Sequence, residues 1–368
     1  MGCRIFFPGP PAISSGPGGH LTHGEISAAP ACSAIILSLM QPFKKTPLRF
    51  FAALLATAVV GLALLSAAQE PPEPSATLRV EVPVVNIYCT VKERSGRLVT
   101  DLTAEDFEIR EDGKPQEIRY FARETDRPIT LALLVDTSIS QQGVLPIEKE
   151  TASAFLRQVM RPIDLALLIT FDVNVDLLQD FTQEVERLER ALGRARINTA
   201  VALGPFPQSG RTRGTLLYDS VYLVTKQKLA GEVGRKAVIL LTDGVDAGSD
   251  RKERDALEAA QRSDTIIYSI GIADPGFYSG GGYFYSGEGT LKKLSEETGG
   301  RAYFPSKPEK LQEAFDQITQ ELRSQYSIGY APTNRTRDGR FRKIEMKVKS
   351  KGRDLRVQAR RGYYAPGS

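Results

Sequence analysis

The chain has 368 residues, long enough for two domains, and its 41% hydrophobic and 25% charged residues are the balance of a protein that buries a core. The net charge of +4 is small and Lys and Arg are spread along the chain, so no basic stripe points to nucleic acid. Both histidines, His20 and His23, precede the first hydrophobic run, and nothing after it carries one.

Residues 1–39 are rich in Gly, Pro and Ser without periodicity and read as a non-native or disordered extension, with Met40 as the expected start of translation. Residues 40–68 have the layout of a secretory signal. Lys44, Lys45 and Arg49 form a positive n-region, 50–65 is an uncharged apolar run, and Ser66, Ala67 and Ala68 are small residues suited to cleavage before Gln69. The competing reading is an uncleaved anchor at 50–65, a run a little short of the ~20 residues of a spanning helix. The expected location is periplasmic or secreted, with membrane contact only through this segment. A mature chain of this kind has no histidine and one cysteine. It excludes a Ser-His-Asp triad, a Cys-His pair, a His-ligated zinc and an intramolecular disulfide. Cys89 lies in the apolar run 84–91 and reads as a small buried hydrophobe rather than a reactive thiol.

In chain order, 78–91 is rich in Val, Ile and Tyr and predicts strand. Residues 103–107, with Asp106 three after Thr103, predict a capped helical turn, and 107–120 a hairpin turning at Asp112-Gly113. From Pro128 the pattern changes. Residues 129–135 form a continuous apolar run, as in a strand buried on both faces. Helical spacing follows at 146–159, strands at 164–171 and 175–181, helices at 185–192 and 216–229, and a strand at 237–241. Then come a helix at 251–261, a strand at 265–272, a helix at 291–298 ending at Gly299-Gly300, a short strand at 302–304 and a helix at 309–322. The alternation predicts an α/β, doubly wound, mostly parallel sheet with helices on both faces. The tail, at 326–330, 341–348 and 355–359, returns to β, punctuated by Gly339, Gly352 and Gly362. Neither β segment buries much alone. They are expected to pair into one small β-sandwich-like domain, 69–127 with 323–368, around an α/β domain at 128–322.

Three short sequences stand at the ends of predicted buried strands or in the loops beside them: Asp136-Thr137-Ser138-Ile139-Ser140, Gly214-Thr215 opening a helix, and Leu241-Thr242-Asp243-Gly244. A hard divalent cation takes oxygens in near-octahedral geometry. Asp136, Ser138 and Ser140 place a carboxylate and two hydroxyls on one turn, Thr215 adds a hydroxyl, and Asp243 adds a carboxylate directly or through water. The set has few charges and no soft ligand, which favours magnesium or manganese over zinc and leaves a position open for a partner's carboxylate. In an open α/β sheet such a site lies beyond the carboxyl ends of the strands, at the switch point.

Asp-x-Ser-x-Ser, a distal Thr and a distal Thr-Asp-Gly, in this order, resemble the signature of the von Willebrand factor A-type (VWFA) fold, across about 128–322. The flanking sequences VTDLTAEDFEIREDGKPQEIRYF, QYSIGYAPTNRTRDGRFRKIEMKVK and RRGYYAP resemble a bacterial group of "VWFA-related" exported proteins common in acidobacteria. The resemblance implies a Rossmann-like domain and a metal-ion-dependent adhesion site (MIDAS) of Asp136, Ser138, Ser140, Thr215 and Asp243. It implies no particular ligand.

Each residue also has a plainer reading. Ser138 and Ser140 could cap the next helix, Asp243 could serve the turn before Gly244, Asp219 reads as a binder of nearby backbone amides, and Asp246 as a loop or cap residue. In the Gly-rich segment 276–289, Tyr278, Tyr283, Phe284 and Tyr285 suit partner recognition or a loop folded on its own tyrosines. Arg211 and Arg213, beside Thr215, read as solvated charges or as a lure for an acidic ligand. The expected function is metal-dependent protein binding or adhesion, not catalysis. The alternatives are a structural or assembly subunit of an envelope complex with a vestigial metal site, and an enzyme with Ser138 or Ser140 as nucleophile, for which no lysine base is evident. The sequence sets no oligomeric state.

Overall fold

The computed structural model describes residues 84–124, 127–198, 214–272, 287–349 and 352–367. The expected extension, the signal segment, Arg211, Arg213, Tyr278, Tyr283, Phe284 and Tyr285 lie outside them.

The first strand, β1 (Val85–Glu93), runs alongside two strands from the far end of the chain, β11 (Gln325–Tyr330) and β13 (Leu355–Ala359). With β4 (Ile118–Glu124) on the other side of β11, they form an antiparallel sheet in the order β13-β1-β11-β4. A second antiparallel sheet has the order β14-β12-β2-β3, from β14 (Gly362–Tyr364), β12 (Phe341–Val348), β2 (Phe107–Glu111) and β3 (Lys114–Gln116). The β2–β3 hairpin turns on Asp112 and Gly113, both at positive φ, the conformation in which an Asp-Gly pair matches strand twist. The expected hairpin over 107–120 ends at Gln116, and Ile118–Glu124 crosses to the other sheet. Residues 362–364, expected only as punctuation, form β14. Both sheets contribute to one hydrophobic cluster, in which Phe107, Phe121 and Tyr326 have ring centroids 5.4 to 5.6 Å apart. Cys89 is buried in this cluster, and burial pushes its thiol pKa up.

Between β4 and β11 the chain builds a six-stranded sheet in the order β10-β9-β8-β5-β6-β7. Its strands are β5 (Ile129–Asp136), β6 (Leu165–Phe171), β7 (Val175–Thr182), β8 (Arg235–Thr242), β9 (Thr265–Gly271) and β10 (Ala302–Tyr303). All neighbours are parallel except β7, which returns antiparallel along β6. β5, β8 and β9 are buried at every position, which is why they read as unbroken apolar runs. One face packs on α1 (Leu145–Val159), α2 (Val185–Arg194) and α6 (Pro308–Arg323). The other packs on α3 (Leu217–Leu223), α4 (Glu253–Arg262) and α5 (Glu288–Thr298). The helix expected over 216–229 changes to π-helical turns from Val224. α5 ends where Gly299 takes φ 91°, a C-cap that a side chain would strain.

Arg235 ties the entry and exit of this part together, donating to the carbonyls of Arg127 (2.7 Å) and Leu322 (2.6 Å). Among the described residues no helix is long and apolar enough to cross a membrane.

Candidate metal centre

β5 ends on Asp136, and the chain turns there through a single 3-10 turn, Ile139–Gln141. Asp136 is 0% exposed. Its Oδ1 accepts the Ser138 amide at 2.9 Å and its Oδ2 accepts the Thr242 hydroxyl at 2.6 Å. The first bond closes the turn on itself. The second links β5 to the end of β8, its parallel neighbour. Ser138 stands at the N-cap of the 3-10 turn, yet its side chain makes no capping bond. Its Oγ lies 3.0 Å from the Oγ of Ser140, so the two hydroxyls meet each other rather than the backbone. The capping explanation for Ser138 fails on that geometry.

Asp243 follows β8 and is buried. Its Oδ1 accepts the Val245 amide at 2.9 Å, so it also serves the turn that Gly244 completes at φ 78°. A Cβ on Gly244 would lie 2.7 Å from the Gly287 carbonyl oxygen, so this turn must be glycine to pack under α5. Thr215 reaches the same end of the sheet through its backbone. The following Leu216 amide donates to the Asp172 carbonyl (2.8 Å), and the Thr215 carbonyl accepts the Ala247 amide (3.1 Å). Asp172, just after β6, braces this end: it accepts the Thr137 hydroxyl at 2.8 Å, the Asn174 amide at 3.0 Å and the Asn198 side chain at 3.1 Å. Asp219 accepts the amides of Asp250 and Arg251, and Asp246 accepts the Tyr218 and Ser249 amides, so both bind backbone.

The electrostatics are those of crowded acids. Burial, then the like charge of Asp243, pushes the Asp136 pKa up to about 7, against hydrogen bonds from Ser138 and Thr242 that lower it. Glu148, on α1, went unnoticed in the sequence. It is fully buried, and neither carboxyl oxygen has a hydrogen-bond partner. Burial, then the charges of Asp136 and Asp243, pushes its pKa well above the carboxylate range. A signal was available: Leu145, Glu148, Ala152, Phe155, Leu156 and Val159 are the buried face of α1, so Glu148 sits in an apolar stripe.

Among the described residues no three His, Cys, Asp or Glu side chains are grouped to hold a metal. The donors at this site are instead two carboxylates supplemented by hydroxyls. They are all oxygen, they stand beyond the carboxyl ends of β5 and β8, and Asp136 meets only neutral donors. A hard divalent cation fits such a set, and its charge would offset the repulsion that raises the Asp136 pKa.

No protein-family model matches the chain, and no curated protein does. The solved structures to which it is similar include von Willebrand factor A domains. One is a von Willebrand factor type A protein from Catenulispora acidiphila (12% identity, 73% of this chain and 76% of that one, TM-score 0.40). A second is the vWF domain of the type V pili tip protein Mfa5 from Porphyromonas gingivalis (15% identity, 53% and 95%, TM-score 0.37). A third is proximal thread matrix protein 1 of the mussel byssus, with a zinc-occupied MIDAS motif (16% identity, 58% and 49%, TM-score 0.43). The match spans about half the length of the mussel protein. At these values nothing of their ligands passes to this chain.

Proposed function

We propose that this chain is an exported, metal-dependent protein-binding or adhesion module. In this reading a VWFA domain at 128–322 is inserted between two β segments, 69–127 and 323–368, that form one small β-sandwich-like domain. Asp136, Ser138, Ser140, Thr215 and Asp243 would hold a divalent cation, magnesium or manganese. The cation supplies an open, Lewis-acidic position for a carboxylate of a protein partner, with Tyr278, Tyr283, Phe284 and Tyr285 as further contacts. No catalytic role is assigned to any residue. The observation that carries the reading is Asp136: a fully buried carboxylate at the end of a central strand, satisfied by neutral donors of Ser138 and Thr242, beside a second acid and two facing serine hydroxyls.

Calorimetric titration of the metal-free protein with magnesium or manganese tests it. Saturable binding is expected, lost in Asp136→Ala and in Asp243→Ala while both variants stay folded. Absence of saturable binding would instead favour a structural or assembly subunit with a vestigial site. Partner capture from envelope extract is expected to vanish in EDTA, and capture that ignores EDTA sinks the metal-dependent reading.

A further inference from the structure

At the far end of α5 from the metal centre lies a cationic groove of about 420 Å³. α5 begins beside Gly287, which packs on the Asp243–Gly244 turn, and its last residues reach the groove; its 11 residues span roughly 16 Å. Five basic side chains line the groove, Lys92, Arg301, Arg356, Arg360 and Arg361, against a single carboxylate, Glu296. Three of the five are partly compensated. Lys92 pairs with the buried Glu321 at 2.6 Å, Arg301 reaches Glu321 at 3.4 Å and Gln358 at 2.8 Å, and Arg360 pairs with Asp264. Even so, the Arg360 Nε is buried without a hydrogen-bond partner. Arg356 and Arg361 are exposed, and among the described residues neither guanidinium has a partner. Arg356 also stands directly across from Lys92 in the β1–β13 register. Glu321 meets the Lys92 charge, while among the described residues nothing meets that of Arg356.

The backbone around the groove is open as well. Among the described residues β13 is the edge strand of its sheet, with β1 on one side and no strand on the other. Facing it is β12, whose second half pairs with β2 on one side, while on the other β14 covers Phe341–Lys343 and the Arg361 carbonyl takes the Ile344 amide (2.8 Å), leaving the edge open from Glu345. Two strand edges therefore flank one slot. An unpaired edge is a template for another strand. Along β13 the side chains alternate. Val357 and Ala359 pack on the hydrophobic cluster shared by the antiparallel sheets, and Arg356 and Gln358 belong to the opposite face. Ile344 and Met346 continue the apolar side of the slot.

We propose that the open edge of β13 docks an acidic peptide segment of a protein partner, bound as an added strand. Its carboxylates meet Arg356 and Arg361, and its alternate apolar side chains cover Ile344, Met346 and Val357. Backbone pairing supplies affinity, and the alternation of acid and hydrophobe supplies selectivity. This site is independent of the metal centre.

The test is fluorescence anisotropy with a labelled, end-blocked peptide of alternating Glu and Val, added to the full chain in EDTA. Saturable binding is expected, falling at least tenfold in the Arg356→Glu/Arg361→Glu variant and by less in Arg356→Gln/Arg361→Gln. Both residues are exposed and unpartnered, so the melting temperature is expected to hold. Methylating alternate backbone nitrogens of the peptide is expected to weaken binding at least tenfold, and replacing Glu by Lys to abolish it. Asp136→Ala is expected to bind as the wild type does. Undiminished binding to the double glutamate variant overturns the proposal. Equal affinity for the methylated peptide overturns it too, by reducing the groove to a patch of charge.

Discussion

The two ends of β5 treat a buried acid in opposite ways. At the amino end, Asp164 is almost fully buried and surrounded by donors: the amides of Ile129 and Arg161, each at 2.8 Å, and the Arg323 guanidinium. Elsewhere Glu111 accepts the hydroxyls of Tyr330 and Tyr363 at 2.7 and 3.0 Å, and Glu321 has Lys92, Arg301 and Tyr303. At the carboxyl end, Asp136 meets only neutral donors and Glu148 meets none. A fold that supplies a partner to an acid for stability does so from its own chain. At the carboxyl end no cation from the chain offsets the charge, so ionising these acids costs stability.

Substitutions at the two ends should therefore differ in sign. The largest effect is expected for Asp164→Ala, which strands the Arg323 guanidinium, only 13% exposed, without its acid. Urea denaturation should show a loss of about 3–5 kcal/mol; a loss below that of an ordinary surface change would break the contrast. Next is Asp136→Ala. Metal at a hundredfold excess over its dissociation constant is expected to stabilise the wild type by about 2.7 kcal/mol and the variant not at all. Metal-free, the variant should melt no lower than the wild type, because the acid it loses is held at a cost.

Glu148→Gln comes third, with an expected gain of about 1 kcal/mol at pH 8 in the metal-free protein. The sign follows from linkage. A folded pKa raised above the unfolded one gives stability that is full at acid pH and lost as pH rises through the folded value. For Asp136 that window runs from the usual carboxylate range to about 7, and for Glu148 it extends higher. The metal-free melting temperature should fall from pH 5 to pH 8, less steeply in Glu148→Gln; a rise over that window refutes the assignment. The smallest effect is expected for Tyr363→Phe, about 1 kcal/mol or less, since Tyr330 still donates to Glu111.

Much of this was legible in the residues. The strands around 129–135, 237–241 and 265–272 appear as apolar runs because the sheet covers both their faces, and the acid and hydroxyls of 136–140 follow the first of them. What escaped depends on partners distant in sequence. β14 is three residues whose identity as a strand comes from β12, and β4 departs from the hairpin it seemed to belong to because β11 claims it. Thr242 carried no role of its own in the sequence, and only the parallel register of β5 and β8 puts its hydroxyl on Asp136. Asp172 has no motif at all. Its bracing role arises because the ends of β5 and β6, and the start of α3, converge on it.

The pairing of β4 with β11 places Glu124 opposite Gln325, so the chain leaves and re-enters the antiparallel sheets at neighbouring points, about 5 Å apart. A tight turn could close that gap. Side chains cross between the two parts as well: Lys92 of β1 pairs with Glu321 of α6, Arg301 donates to Gln358 of β13, and Arg360 pairs with Asp264, so removing the α/β part would strand charges on the sheets that flank it. The two crossing points are clasped from within by Arg235, whose guanidinium spans the Arg127 and Leu322 carbonyls.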